Sequence, residues 1–209
     1  MKKKSLRPRC ARCRDYSCYE GKDCFSIASD FEGLYREEEN QRLAQAAASI
    51  ESKFYGLATR IEETIRFALE LEVKTLGLAY CIGLAEEAKE VERIFSDFFS
   101  VLSICCKVGG IDKAALNFGN IKEDRYEGIC NPIAQARILE EASVELIVLC
   151  GLCVGHDALF SRHTQVPVTT LIAKDRVLGH NPAAALYCRY PARRLEDRLK
   201  ELKKERGLP

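Results

Sequence analysis

The spacing of apolar positions along the chain changes twice, and each change marks a different kind of element. Between residues 36 and 56, Leu43, Ala46, Ala47, Ile50 and Phe54 recur at helical spacing on one face. Leu57, Ile61, Ile65 and Leu69 then step strictly by four, which predicts a second helix over about 57–72. Gly56 separates the two, and together they read as a helical hairpin. From residue 74 the pattern becomes short apolar runs suited to buried strands: Thr75–Tyr80, Phe99–Ile104, Glu145–Leu149 and Val168–Ala173. Leu84, Ala88, Val91 and Phe95 mark a helix after the first run, and helical patterns follow at about 131–142 and 156–164.

Strands alternating with helices imply βαβ units and a mostly parallel sheet. Near-continuous apolar strands fit a sheet covered on both faces. The expected class is therefore α/β, a Rossmann-like three-layer core with a sheet of about four strands in the order 2-1-3-4. Asn131-Pro132 and Asn181-Pro182 each place Asn at a helix cap and Pro at the first helical position. A last, highly charged helix over about 192–206 ends at Gly207.

The first thirty residues differ from the rest: they are aperiodic, poor in apolar residues and rich in cysteine and charge. They cannot bury a core alone, so order there requires a cross-link. The expected organisation is a cysteine-rich metal-binding segment over 1–30, the helical hairpin over 31–73 and the α/β core over 74–209.

Net charge is +1, from 32 Lys and Arg against 31 Asp and Glu, which does not mark a nucleic-acid binder. The basic arm at residues 1–14 and the basic tail from Arg189 to Arg206 could touch phosphates. Short charge runs of this kind are more often a solvated arm and an ordinary surface helix. No run of 18 apolar residues predicts a membrane span. Met1-Lys2-Lys3-Lys4 is followed by no apolar stretch, so no secretory signal is read, and the expected compartment is the cytoplasm.

Eleven cysteines sit in this chain of 209 residues, beside only three histidines. In a reducing compartment clustered thiols point to metal binding or catalysis rather than to disulfides. An odd count also argues against a complete disulfide framework. Cys10, Cys13, Cys18 and Cys24 form C-x2-C-x4-C-x5-C. A C-x2-C step lets two thiolates reach one metal from a tight turn, and four thiolates close a zinc site or hold an iron–sulfur cluster. The spacing is neither that of a zinc ribbon nor that of a bacterial two-cluster ferredoxin. A [4Fe-4S] cluster is preferred and zinc is the alternative.

A second set falls near predicted strand ends. Cys81 follows the first strand, Cys105 and Cys106 the second, and Cys150 and Cys153 close the third, while Cys130 precedes the Asn131-Pro132 helix start. In open α/β sheets, ligands bind in the crevice outside the carboxyl ends of the strands. Cys81, Cys106, Cys130 and Cys153 are the expected ligands there. Cys150 and Cys188 read as core residues, and only one of the consecutive Cys105 and Cys106 can face the site. His156 and Asp157, which open a helix after Cys153, are the candidate proton-transfer groups. Lys107, Asp112, His180 and Lys174-Asp175-Arg176 lie beside the same loops. The glycine-rich loops Cys81-Ile82-Gly83, Lys107-Val108-Gly109-Gly110 and Gly151-Leu152-Cys153-Val154-Gly155 let backbone approach a ligand. None is a P-loop or a G-x-G-x-x-G fingerprint, which argues against nucleotide hydrolysis and NAD binding.

The stretches LAYCIGLAEEAKE, SICCKVGGIDK, CNPIAQARILEE, CGLCVGHDALF and PVTTLIAKDRVLGHNPAAALY, with the N-terminal CARCRDYSC, resemble the family catalogued as domain of unknown function 1847. That resemblance covers nearly the whole chain and implies metal binding. A looser likeness is to the thiouracil desulfidases, which are similar in carrying three cysteines at strand ends of a Rossmann-like sheet. It implies a [4Fe-4S] cluster on Cys81, Cys106 and Cys153, with an open iron for the sulfur of a small substrate. The local words differ, and this chain has its extra N-terminal cysteines. The leading expectation is an iron–sulfur protein, as an enzyme a desulfidase or related lyase acting on a small sulfur-containing substrate. The alternatives are a non-enzymatic metal or redox sensor, an electron carrier with a redox partner, and, ranked last, a zinc-dependent nucleic-acid module.

Overall fold

The structure, a computed structural model, describes residues 7–122 and 125–208. The chain divides into two compact units, 1–55 and 56–209. The division falls between the two helices expected to form a hairpin, so one belongs to each unit.

In the first unit, two short 3-10 turns, Cys10–Arg12 and Ser17–Glu20, precede helices α1 (Ala28–Glu32) and α2 (Glu38–Phe54). Ala46 and Ile50 on the apolar stripe of α2 are buried.

The second unit opens with α3 (Arg60–Glu70). The apolar spacing alone would start this helix at Leu57, but Leu57 is exposed and lies outside it. A capping box fixes the start instead. Thr59 Oγ1 accepts from the Glu62 N–H, and the Glu62 carboxylate accepts from the Thr59 N–H at 2.8 Å. There follow β1 (Thr75–Tyr80), α4 (Ala85–Phe95), β2 (Ser100–Cys105), α5 (Pro132–Glu141), β3 (Leu146–Cys150), α6 (His156–Ser161), β4 (Val168–Ile172), α7 (Ala184–Tyr187) and α8 (Arg189–Glu205). Among the described residues the strands form one all-parallel sheet in the order β2-β1-β3-β4, as expected. No helix among these residues is long and apolar enough to cross a membrane.

Two expectations need correction. Coverage on both faces holds for the central strands β1 and β3, whose residues are nearly all buried. It fails for β2, at one edge, where Ser100, Leu102 and Ser103 are exposed, and for β4 at the other. Asn131 does cap α5, accepting from the Ala134 N–H at 3.1 Å. Asn181 caps nothing: its amide donates to the Tyr187 hydroxyl at 2.9 Å, and the next helix begins only at Ala184.

Close packing fixes the sheet against its helices. A Cβ on Gly77 would stand 3.1 Å from side-chain carbons of Leu139 and Val144, so glycine lets this part of β1 lie close to them. Gln135 on α5 is fully buried, and its Nε2 donates to the Tyr80 carbonyl at 3.1 Å and the Ile104 carbonyl at 2.8 Å. It ties together the ends of β1 and β2, just before the cysteines that follow them.

Candidate functional site

Because all four strands run parallel, their carboxyl ends share one edge of the sheet, and the loops leaving them surround a cavity of about 450 Å³. Cys81 from the end of β1, Cys130 before α5 and Cys153 after β3 line it. Lys174 and Arg176, beyond β4, line it too, as does His156 at the first position of α6.

Cys81 is buried at the cavity's edge, and Cys106 lies buried behind it. Each directly follows the last registered pair of β1 and β2, Tyr80 beside Cys105, and the Cys106 N–H extends that ladder to the Tyr80 carbonyl at 2.9 Å. The two sulfurs are 3.9 Å apart, and the Cys106 sulfur accepts from the Ile82 N–H at 3.4 Å. Lys174 Nζ lies 2.7 Å from the Cys81 sulfur, and Arg176 donates to the Cys153 sulfur at 3.1 Å.

These contacts split the pair electrostatically. The thiol of Cys106, and after it the Lys174 ammonium, hold the Cys81 thiol far below the ordinary 9.0, at about 4. Cys106 is driven the opposite way, because ionising it would set a second negative charge against Cys81 and because it is buried. Cys105 sits outside this pair. Its sulfur accepts from the Lys107 N–H at 3.5 Å, and it hydrogen-bonds with the Tyr80 side chain. Cys150 is fully buried, and burial raises it to about 11, so it behaves as a core residue.

One wall of the cavity is the long connection between β2 and α5. Asp112 and Gly128 form an isolated antiparallel bridge, and Lys113 pairs with Glu127 at 2.6 Å, both about one-fifth exposed. This pair holds Phe118, Ile121 and Ile129 on the cavity wall. Lys107 Nζ donates to the Gly128 carbonyl.

The candidate proton-transfer residues separate. His156 faces the thiol-lined cavity. Asp157 lines a different cavity of about 150 Å³, and its Oδ1 accepts from the Gly155 and Ala158 N–H groups at 2.9 and 2.8 Å, organising the start of α6. His180 accepts from the Asp175 N–H at 3.1 Å and shapes the turn after β4. The spacing of the sequence points to Lys174 and Arg176 only as basic residues at a strand end. Their pairing with sulfurs contributed by other strands emerges from the fold. Lys113, Glu127 and Phe118 carry no periodic signal at all.

Cys10, Cys13, Cys18 and Cys24 are all exposed on the two turns of the first unit and the segment after them. The Cys13 thiol donates to Asp15 at 3.1 Å, which holds that carboxyl below the usual range, and the Cys24 thiol faces the Lys22 carbonyl at 3.8 Å. Among the described residues, no three His, Cys, Asp or Glu side chains stand close enough together to hold a metal ion as they are placed.

A family model described as "Protein of unknown function (DUF1847)" matches residues 21–171. An uncharacterized protein of Methanocaldococcus jannaschii is 45% identical over 188 residues, which cover 90% of this chain and 97% of that protein. No solved structure matches the chain. The likeness to thiouracil desulfidases gains no support from these matches and rests on strand-end placement alone.

Proposed function

Since the chain belongs to the DUF1847 family, whose description names no activity, its role is read from its own side chains, and we propose that it is a thiolate-ligated metal protein. The reading places an iron–sulfur cluster at the strand ends, on Cys81, Cys106, Cys130 and Cys153. The carrying observation is the convergence of Cys81, Cys130 and Cys153 on one cavity, with Cys106 buried against Cys81 and two cations already seated on sulfurs.

The donor set fits the group. Thiolates are soft ligands that select iron–sulfur clusters, zinc or copper(I) over hard ions such as magnesium or calcium. A cluster bound by thiolates is anionic, and Lys174 and Arg176 offset that charge. The Ile82 N–H is aimed at a ligand sulfur, as amides around such clusters are. A cluster held by three of the four thiols supplies one iron free to accept the sulfur of a small substrate. His156, on the cavity wall, would then hold or deliver the proton. Phe118, Ile121 and Ile129 give that space an apolar side against which a small substrate would pack.

One distance favours a second reading for part of this site. Two thiolates on one tetrahedral ion with bonds of about 2.3 Å stand about 3.8 Å apart. The Cys81–Cys106 separation of 3.9 Å matches that edge, so the pair would share a single zinc or iron ion. The Cys10, Cys13, Cys18 and Cys24 motif is proposed as a separate four-thiolate centre that cross-links the first unit, holding a [4Fe-4S] cluster or zinc.

Anaerobic purification, with iron, zinc and acid-labile sulfide counted per chain, tests both centres. About eight irons and eight sulfides mean two [4Fe-4S] clusters. Metal without sulfide favours single-ion sites. Replacing Cys81, Cys106 and Cys153 together with Ala removes the strand-end share. Retention of the full metal and sulfide content by that variant overturns the assignment.

A further inference from the structure

We infer that Cys81 and Cys106 are a reversible dithiol/disulfide couple, oxidised by small disulfides that enter the strand-end cavity. The observation is their placement by the sheet itself. They occupy neighbouring positions on adjacent parallel strands, one step beyond the registered pair Tyr80–Cys105. Neighbouring strands lie about 4.8 Å apart, within the range of Cα separations, about 4.4–6.8 Å, that a disulfide spans. The side chains already converge, with the sulfurs 3.9 Å apart, so bond formation requires side-chain rotation and no movement of the strands.

The two thiols have different surroundings, and those surroundings assign the roles. Cys81 lines the cavity and has the Lys174 ammonium against its sulfur, so it meets the incoming disulfide. Its sulfur attacks one sulfur of the small disulfide RSSR, forms the mixed disulfide Cys81–S–S–R and expels one RS⁻. Cys106, behind it, then attacks the Cys81 sulfur, forms the Cys81–Cys106 bond and expels the second RS⁻. The two thiol protons leave with the two RS⁻, giving two RSH. The protein is oxidised by two electrons, and the small disulfide is reduced by the same two. Cys105 cannot substitute for Cys106, because its sulfur is engaged beside Tyr80 and the Lys107 amide.

The couple stands without any metal. Its consequence for the metal centre rests on the reading above: the bridge consumes two of the four proposed ligands, so metal occupancy and oxidation exclude each other.

The test uses the full-length chain, reduced and then split into a chelator-treated and an untreated arm. Both are equilibrated in buffers of oxidised and reduced glutathione, quenched with acid and an alkylating reagent, and mapped by peptide mass. The expected result in the chelator arm is a Cys81–Cys106 linkage that follows a two-electron curve and is reversed by excess reduced glutathione. Cys105→Ser retains it, whereas Cys106→Ser leaves glutathione attached to Cys81. The couple is overturned if Cys81 and Cys106 are both recovered alkylated throughout, or if Cys81 links instead to Cys130 or Cys153. Linkage in the chelator arm alone supports both the couple and the metal site. Equal linkage in both arms supports the couple and overturns the metal assignment at these two thiols.

Discussion

Lys174→Met removes the cation beside Cys81 while keeping most of the side-chain volume. The contact is 2.7 Å, and at an effective dielectric of about 20 two unit charges at that distance attract by ~6 kcal/mol. Partial burial of both groups opposes this, and taking about half leaves ~3 kcal/mol, or ~2 pKa units. The Cys81 thiol should therefore rise from about 4 to roughly 6 or higher. The assay is ultraviolet thiolate absorbance of the reduced, metal-free chain against pH, with Cys81→Ser as the subtraction that assigns the signal. At about pH 5 the parent chain retains one thiolate, and Lys174→Met has lost most of it. The sign carries into stability. A folded-state value depressed from 9.0 to about 4 stabilises the fold fully above pH 9, and that contribution is lost as pH falls toward 4. Between those limits the parent's stability should rise with pH through this group, and Lys174→Met should show the rise only over the upper part of the range. Unchanged absorbance at pH 5 in Lys174→Met would refute the assignment and leave the Cys106 thiol as the sole cause.

Other outcomes follow from packing and capping. Gly151 has φ +66° and an added Cβ would fall 2.5 Å from a methyl carbon of the fully buried Leu84, so Gly151→Ala should cost ~2–4 kcal/mol and lower the thermal midpoint by roughly 5–15 °C. Thr59→Ala removes one half of the capping box of α3 and should cost about 1 kcal/mol in denaturant unfolding, with Thr59→Ser close to neutral. Glu127→Gln removes the charge that pairs with Lys113, and limited proteolysis should then cut the connection around Phe118 faster than in the parent.

The strands and their order were legible because four short apolar runs alternate with helical patterns, and right-handed parallel crossovers leave few arrangements. Periodicity misplaced the start of α3, since Leu57 continues the spacing while the Thr59–Glu62 box decides where the helix begins. It placed β2 at the edge but missed that this strand is left partly uncovered, because Val101, Leu102 and Ile104 look as apolar as a central run. At the site, the cysteines were visible through strand-end placement, as was the role of Cys150 in the core. The choice of Cys106 over Cys105 as partner of Cys81 depends on register, and the seating of Lys174 and Arg176 on sulfurs depends on β4 lying beside β3. Neither is a property of local sequence.

The doubled cysteine at the end of β2 gives this edge of the sheet a tolerance to error in evolution. One residue inserted before Cys105 would move every side chain of the strand end to the other face. Yet it would bring Cys105 to the place that Cys106 now holds beside Cys81. The thiol neighbour of Cys81 thus survives a slip that would erase most sites built from single residues, and an ancestral lineage could have gained one residue before Cys105 without first losing the pair.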